Sequence, residues 1–231
     1  MSALSNDYDS DPGRFLSSQE HPHDDVHPYV AARFSAAGAT TVLDVGGGNG
    51  KLARLLSGLS MRCLLIDLSP TMLSMAPRPS VRADGARLPV ADASVDAVAA
   101  LFTLYHYDDP RLPIREARRV LRPGGLFAAC SARRDSDPEL AHLIPDWGAP
   151  STFDAEDSTA MVASVFDAPG DTVAADHWDG PLVTLSSVSD ATACLRVHRL
   201  SEEAAASAAA TLDLPLTLTK HGSIVYATKA R

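Results

Sequence analysis

A β-branched apolar run, Thr41-Val-Leu-Asp-Val45, ends in Gly46-Gly47-Gly48-Asn49-Gly50, and leucines at helical spacing follow at once. Glycines at four of five positions leave the main chain bare enough for a nucleotide-like ligand to lie against it. The helix that follows turns unpaired N–H groups toward such a ligand. Gly48-Asn49-Gly50-Lys51-Leu52-Ala53 satisfies the dinucleotide fingerprint G-x-G-x-x-A, and Asp67 falls near the distance expected of its ribose-binding acid. The same stretch also reads Asp44-x-Gly46-x-Gly48-x-Gly50, so the glycines alone leave the cofactor open. Further along, Leu104-Tyr105-His106-Tyr107 carries an imidazole that titrates near neutral pH and suits proton removal, with Tyr105 and Tyr107 beside it to line a pocket.

Alternating strands and helices must position these residues. Val26, Val30, Phe34 and Ala37 predict a helix from residue 24 or 25 to 37, which Gly38 ends. Residues 41–45 are the first buried strand, and Leu52, Leu55, Leu56 and Leu59 mark the first crossover helix. Strands at 62–66, 80–82, 95–102 and 126–130 follow. They are separated by a helix over 71–76, which Ser69 caps and Pro70 begins, and by a helix over 110–121. Arg122-Pro-Gly-Gly125 reads as a helix stop and a turn with no chemistry of its own. That rhythm means βαβ units and a parallel sheet covered on both faces. It breaks in the last hundred residues, where 138–150 read as a loop. Helices are expected at 155–166, 190–197 and 201–210, and strands at 172–178 and 223–228.

Asp84 in Arg82-Ala-Asp-Gly-Ala-Arg87, the run Ser94-Val-Asp-Ala-Val98, and Glu116-Ala-Arg-Arg-Val-Leu-Arg-Pro-Gly-Gly125 complete a pattern. In this order and spacing, residues 40–130 resemble the class I S-adenosylmethionine-dependent methyltransferases, particularly the branch acting on small molecules. The resemblance implies an α/β fold: a Rossmann-like doubly wound sheet, mostly parallel with an antiparallel last strand, plus helical lid insertions. Residues 1–38 would be an arm and helix closing over the cofactor. Residues 39–231 would form the cofactor-binding domain, with substrate-cap helices within 135–215. The implied cofactor is S-adenosylmethionine, leaving as S-adenosylhomocysteine.

Site roles follow from the resemblance. Asp44 and the backbone of Gly46, Gly47, Gly48, Asn49 and Gly50 hold the methionine part. Asp67 takes both ribose hydroxyls, with Leu68 beside it, because a carboxylate accepts two hydrogen bonds at once. As a strand-end carboxylate, Asp67 is expected to be exposed and to matter little to the core. Met72 lies on the adenine face or is plain core. Asp84 accepts from the adenine amino group, with Gly85 and Ala86 giving backbone contacts, or else forms an ordinary Asp-Gly turn. Leu101 and Phe102 end the fourth strand beside the sulfonium. Tyr8 and Phe15 of the arm shield the cofactor, or else the arm is a tail ahead of the helix that starts at residue 24 or 25. If the acceptor is a hydroxyl, phenol or ammonium, a base is needed. His106 is the candidate and Tyr105 its neighbour, each with packing as the alternative role. Two rivals stay open: a nicotinamide-dependent oxidoreductase on the same loop, and a binder of S-adenosylmethionine that does not methylate, such as a cyclase or sensor.

Composition narrows the partners. The 231 residues are 45% hydrophobic and 21% charged, with a net charge of −9, which fits one globular domain. The basic doublets Arg118–Arg119 and Arg133–Arg134 make no basic face, so nucleic acid is not expected as a partner. No apolar run approaches the roughly 20 residues that span a bilayer, and the N-terminus does not read as a signal peptide. Cytoplasmic location is therefore expected, and the resemblance implies a small-molecule acceptor such as a secondary metabolite. Cys63, Cys130 and Cys194 suggest neither a disulfide framework nor a zinc motif. His21-Pro-His23-Asp24-Asp25-Val-His27 has metal-like spacing, but Pro22 and Pro28 stiffen it and methyl transfer needs no metal, so none is expected. Trp147 and Trp178 either wall the acceptor pocket or pack the lid.

Overall fold

A computed structural model describes residues 7–15 and 25–231. Strands β1 (Thr41–Val45), β2 (Arg62–Asp67), β3 (Ser80–Arg82), β4 (Val95–Leu101), β5 (Leu121–Ala132), β6 (Thr172–Leu185) and β7 (Leu216–Thr228) form one sheet. Its order is β3-β2-β1-β4-β5-β7-β6. The first five strands pair in parallel, and β7 runs antiparallel to both β5 and β6. Chain order reverses between β1 and β4, and in open sheets of this kind ligands lie over the carboxyl ends of the strands at that switch point. The Rossmann-like, mostly parallel sheet expected from the resemblance is the one observed.

Helices cover both faces because successive strand residues point to opposite sides. On one face, α2 (His27–Ala36) and α3 (Lys51–Gly58) bury Val30, Phe34, Leu52 and Leu56 against Val42, Ala97 and Ala99. On the other, α5 (Arg111–Val120) and α6 (Ala155–Ala163) bury Ile114, Ala117, Val120 and Val162 against Leu43, Val98 and Phe127. Fully burying one such Leu or Ile contributes about 2 kcal/mol relative to leaving it in water. Short α1 (Asp7–Ser10) belongs to the arm, and α4 (Pro70–Met75) follows β2. The Ser69 hydroxyl caps α4 by accepting from Met72 N–H at 3.1 Å, as the Ser-Pro pair predicts.

The quoted motifs also have mechanical roles. Glu116 on α5 accepts Leu88 N–H at 2.8 Å, and Arg119 donates to the carbonyls of Leu88 and Val90 at 3.1 and 2.9 Å. Together they hold the loop that carries Asp84. Asp96 accepts N–H and hydroxyl bonds from both Thr40 and Thr41, tying the start of β4 to the start of β1.

The last third departs from the expected lengths. Strands β6 and β7 run on to Leu185 and back to Leu216 as one long hairpin, about twice the extent read from sequence. Between their tips, α7 (Val188–Val197) and α8 (Glu202–Ala209) pack on Val183, Leu185 and Leu218, with Leu140 and Ile144 from the segment read as loop. This is a second, smaller core. Pro181 is tolerated inside β6 because β6 is the sheet edge and shifts register there. Arg122–Gly125, read as a turn before the strand, instead lies within β5, looping out between the pairs Val95–Leu121 and Ala97–Leu126. Gly124 (φ 79°) donates to Lys229, which donates back to Gly125, so the loop is pinned to the C-terminal segment.

Candidate active site

The glycine turn is shaped by two constraints. Gly46, Gly48 and Gly50 have φ of 67°, 55° and 88°, a region that side chains rarely adopt. Gly47 is held to glycine by space instead: a Cβ there would stand 2.6 Å from Asp44 Oδ2 and 2.8 Å from Leu65 Cγ. Gly47→Ala is therefore expected to destabilise the fold by roughly 1–3 kcal/mol, read as a lowered thermal midpoint. Gly50 is the N-cap of α3 and gives the first N–H groups of that helix no side-chain cap.

Asp44 sits mid-sheet between Leu65 and Ala99, and it is 3% exposed. Its Oδ2 is buried with no hydrogen-bond partner. Burial, reinforced by the charge of Asp67, pushes its carboxyl up to about 7. A buried carboxylate oxygen without a donor is costly, and the bare glycine turn lies directly beside it. That arrangement fits a ligand carrying a cationic or hydrogen-bond-donating group.

Asp67 corrects the sequence reading. It is half-buried rather than exposed, and both of its oxygens are engaged: Oδ2 accepts Gly48 N–H at 2.9 Å and Oδ1 accepts Ser69 N–H at 2.8 Å. Each oxygen keeps a further lone pair for a diol. Burial raises the Asp67 pKa despite these N–H donors. The carboxylate thus clamps the glycine turn to the end of β2.

Asp84 makes the turn that was the alternative reading, accepting Ala86 N–H at 2.8 Å. Tyr107 reaches the same spot: its hydroxyl lies 2.6 Å from where a Cβ on Gly85 would be. Burial and the charge of Asp84 push that phenol well above its usual pKa. Met72 is fully buried at the start of α4. Leu68 gives its carbonyl to Arg82 Nε at 3.0 Å, and Asn49 flanks an open cleft with Asp25, Lys51, Arg54 and Leu55.

At the end of β4, Leu101 is 8% exposed and Phe102 has φ of 52°. A bulky aromatic with positive φ is uncommon, and such strain gathers at functional sites. Thr103 was not singled out from sequence, yet its side chain occupies the space beside Gly46. Beyond it, Tyr105 and His106 stand with ring centroids 4.6 Å apart. Burial keeps the Tyr105 phenol protonated far above its usual pKa, so it is a donor or a wall and not a base.

The arm reaches this cluster. Tyr8 Oη lies 2.9 Å from His106 Nε2, its ring meets the rings of His106 and Phe15 edge-on at 5.5 Å, and Phe15 lies over Gly48. Asp9 accepts from the Ser69 hydroxyl and Thr71 N–H, and Asp11 accepts two bonds from Arg196 of α7 at 3.0 and 2.8 Å. Nothing local in the sequence marks Asp9, Asp11 or Arg196. Of the histidine-rich stretch, His21, His23 and Asp24 lie outside the described residues, while Asp25 pairs with His27 at 2.8 Å and Lys51 at 3.1 Å. Trp147 packs into the cap core and donates to Ser136 O at 2.9 Å, and Trp178 packs beside Gly222.

Sheet order and glycine turn together make the Rossmann-like fold that solved methyltransferases share. Residues 43–129 match the family model described as a methyltransferase domain. An "Uncharacterized methyltransferase" of Mycobacterium sp. (strain KMS) is 37% identical over 127 residues, which cover 51% of this chain and 49% of that protein. A "Ubiquinone biosynthesis O-methyltransferase" of Xanthomonas oryzae pv. oryzae (strain PXO99A) is 38% identical over 116 residues, covering 46% of this chain and 48% of the other. The chain spans about half the length of the curated relatives it matches. Among solved structures, the 4+2 cyclase SpnF shares the fold with a TM-score of 0.68 at 18% identity, covering 98% of this chain and 96% of that one. Among the described residues, no helix is long and apolar enough to cross a membrane.

Proposed function

We propose that this protein transfers a methyl group from S-adenosylmethionine to a hydroxyl of a small, partly apolar acceptor, free in the cytoplasm. The observation that carries this reading is the buried, unpartnered Asp44 oxygen beside a side-chain-free turn and an uncapped helix start. When bound, the cofactor supplies a methyl on a cationic sulfur. Asp44 and the uncapped N–H groups would receive the ammonium and carboxylate of its methionine part, and Asp67 its ribose. Asp84, Gly85, Ala86 and Tyr107 would border the adenine, with Met72 beneath. Leu101 and Phe102 keep water from the reacting centre, and the arm, with Tyr8 and Phe15, closes over it as a lid. His106 would take the acceptor's proton. Curated relatives matching this chain are named as methyltransferases, several of them O-methyltransferases, which supports transfer over a silent binding role.

Thermal shift with S-adenosylmethionine, S-adenosylhomocysteine and NADH tests the cofactor. The first two are expected to raise the midpoint. Stabilisation by NADH alone would return the nicotinamide rival. A metabolite screen reading S-adenosylhomocysteine release then tests transfer, and tight binding without release against any acceptor would favour a non-methylating role. His106→Ala is expected to lower turnover about 100-fold or more while leaving cofactor affinity within about twofold.

A further inference from the structure

The arm does more than cover the turn. Tyr8 and Phe15 are the aromatic residues of the described arm, and the Tyr8 hydroxyl lies 2.9 Å from His106 Nε2 while the two rings meet edge-on. Three anchors set that position. Asp9 binds the N-terminal turn of α4, Asp11 grips Arg196 of the cap, and the Phe15 ring braces Tyr8 edge-on. The His106 ring also packs against Tyr105, with centroids 4.6 Å apart. Arg196 is itself 12% exposed and pairs with Glu202 at 2.7 Å, so the cap presents it ready-made to the arm. A shield would need none of this directional apparatus.

Building on the transferase reading above, we infer that Tyr8 is a second proton-transfer residue: the closed arm delivers its phenol to His106, and the pair deprotonates a hydroxyl acceptor as a relay. The Tyr8 hydroxyl donates to neutral His106 Nε2. As the acceptor oxygen takes the methyl and the sulfur–carbon bond breaks, the acceptor's proton passes to the Tyr8 oxygen and the Tyr8 proton passes to Nε2. The products are the methyl ether, the neutral thioether and an imidazolium, and charge is conserved. Because half of the relay arrives with the arm, deprotonation waits for closure, which protects a cationic methyl donor from water. Among the described residues, the titratable and charged groups around the pair are Tyr105 on the same turn and, acting on the Tyr105 phenol, Cys130 of β5, Arg199 of the cap and Arg14 of the arm.

Tyr8→Phe keeps the ring and its edge-on contacts and removes only the hydroxyl. Turnover is expected to fall about 10- to 100-fold with cofactor affinity unchanged in calorimetry. The acid limb of the pH–rate profile should move to higher pH, since a phenol donated to Nε2 favours the neutral ring. The same displacement is expected in the His106 Cε1–H NMR titration of ligand-free Tyr8→Phe against wild type, a readout independent of activity. Asp11→Asn, which loosens the arm without touching the pair, should reduce turnover in the same direction. Wild-type turnover in Tyr8→Phe, or an unmoved His106 titration, would overturn the relay and return Tyr8 to shielding. Failure of the wild type to bind S-adenosylmethionine would instead overturn the transferase reading, and the NMR comparison would still report on the pair.

Discussion

Asp67→Ala is expected to weaken S-adenosylmethionine binding by about 100-fold to 10,000-fold in calorimetry. Under the proposed function, two charge-assisted hydrogen bonds from the cofactor's diol, each worth about 1.5–3 kcal/mol, would vanish together, and every 1.4 kcal/mol is about a factor of ten. The loss is compounded locally. The same carboxylate holds Gly48 N–H and Ser69 N–H, so its removal frees both the glycine turn and the start of α4 at the point where the ligand must find them in place. A folding cost accompanies it, because each N–H left without an acceptor in a half-buried site costs about 1–3 kcal/mol. At about 2–4 °C per kcal/mol for a chain of this size, the thermal midpoint should drop by several degrees without loss of helix and strand content by circular dichroism. Asp67→Asn separates the two effects: its one carbonyl oxygen can keep one loop contact, so stability recovers in part while the charged grip on the sugar stays lost. Cofactor affinity unchanged in both variants would remove Asp67 from the site and leave it as a loop clamp alone.

Where the chain was legible, its local rules agreed with the global ones. The run from Thr41 to Gly58 is readable because a buried strand, a turn with glycine at its left-handed positions and an amphipathic helix follow one another with no competing signal. Ser69 and Pro70 mark the start of α4 by chemistry that acts within three residues. The β6–β7 hairpin was under-read for the opposite reason. Its outer half is an edge strand with polar and glycine-proline content, a pattern that stops a strand by local rules but pairs by register with β7. The arm contacts were invisible on principle. Tyr8 meets a residue 98 positions away and Asp11 one 185 away, and no periodicity encodes a partner at that distance. His106 could be named from its place after β4, but its partner could not.

The second large effect concerns Asp44 and is a trade between stability and function. With its carboxyl raised to about 7 by burial and then by the Asp67 charge, the folded protein holds a proton there that the unfolded chain releases near pH 4. The native state therefore binds more protons than the unfolded state between about pH 4 and pH 7, and stability must fall as pH rises through that window. At the upper end the cost is on the order of 4 kcal/mol. Asp44→Asn removes the ionisation, so the variant is expected to match wild type near pH 4 and to melt higher near pH 8, with a flatter dependence between. Parallel melting curves across that range would show that Asp44 does not titrate in the window. The ligand reverses the preference. A cationic ammonium seated at Oδ2 favours the ionised carboxyl, so wild-type affinity for S-adenosylmethionine should rise as pH climbs from about 5 to about 7, while Asp44→Asn binds weakly throughout. The two sets of measurements must move in opposite directions: the pH that most destabilises the empty fold is the one at which Asp44 is readiest for its ligand. Asp67 enters both, because neutralising it in Asp67→Asn takes away the second cause of the Asp44 shift and should move the stability window toward lower pH.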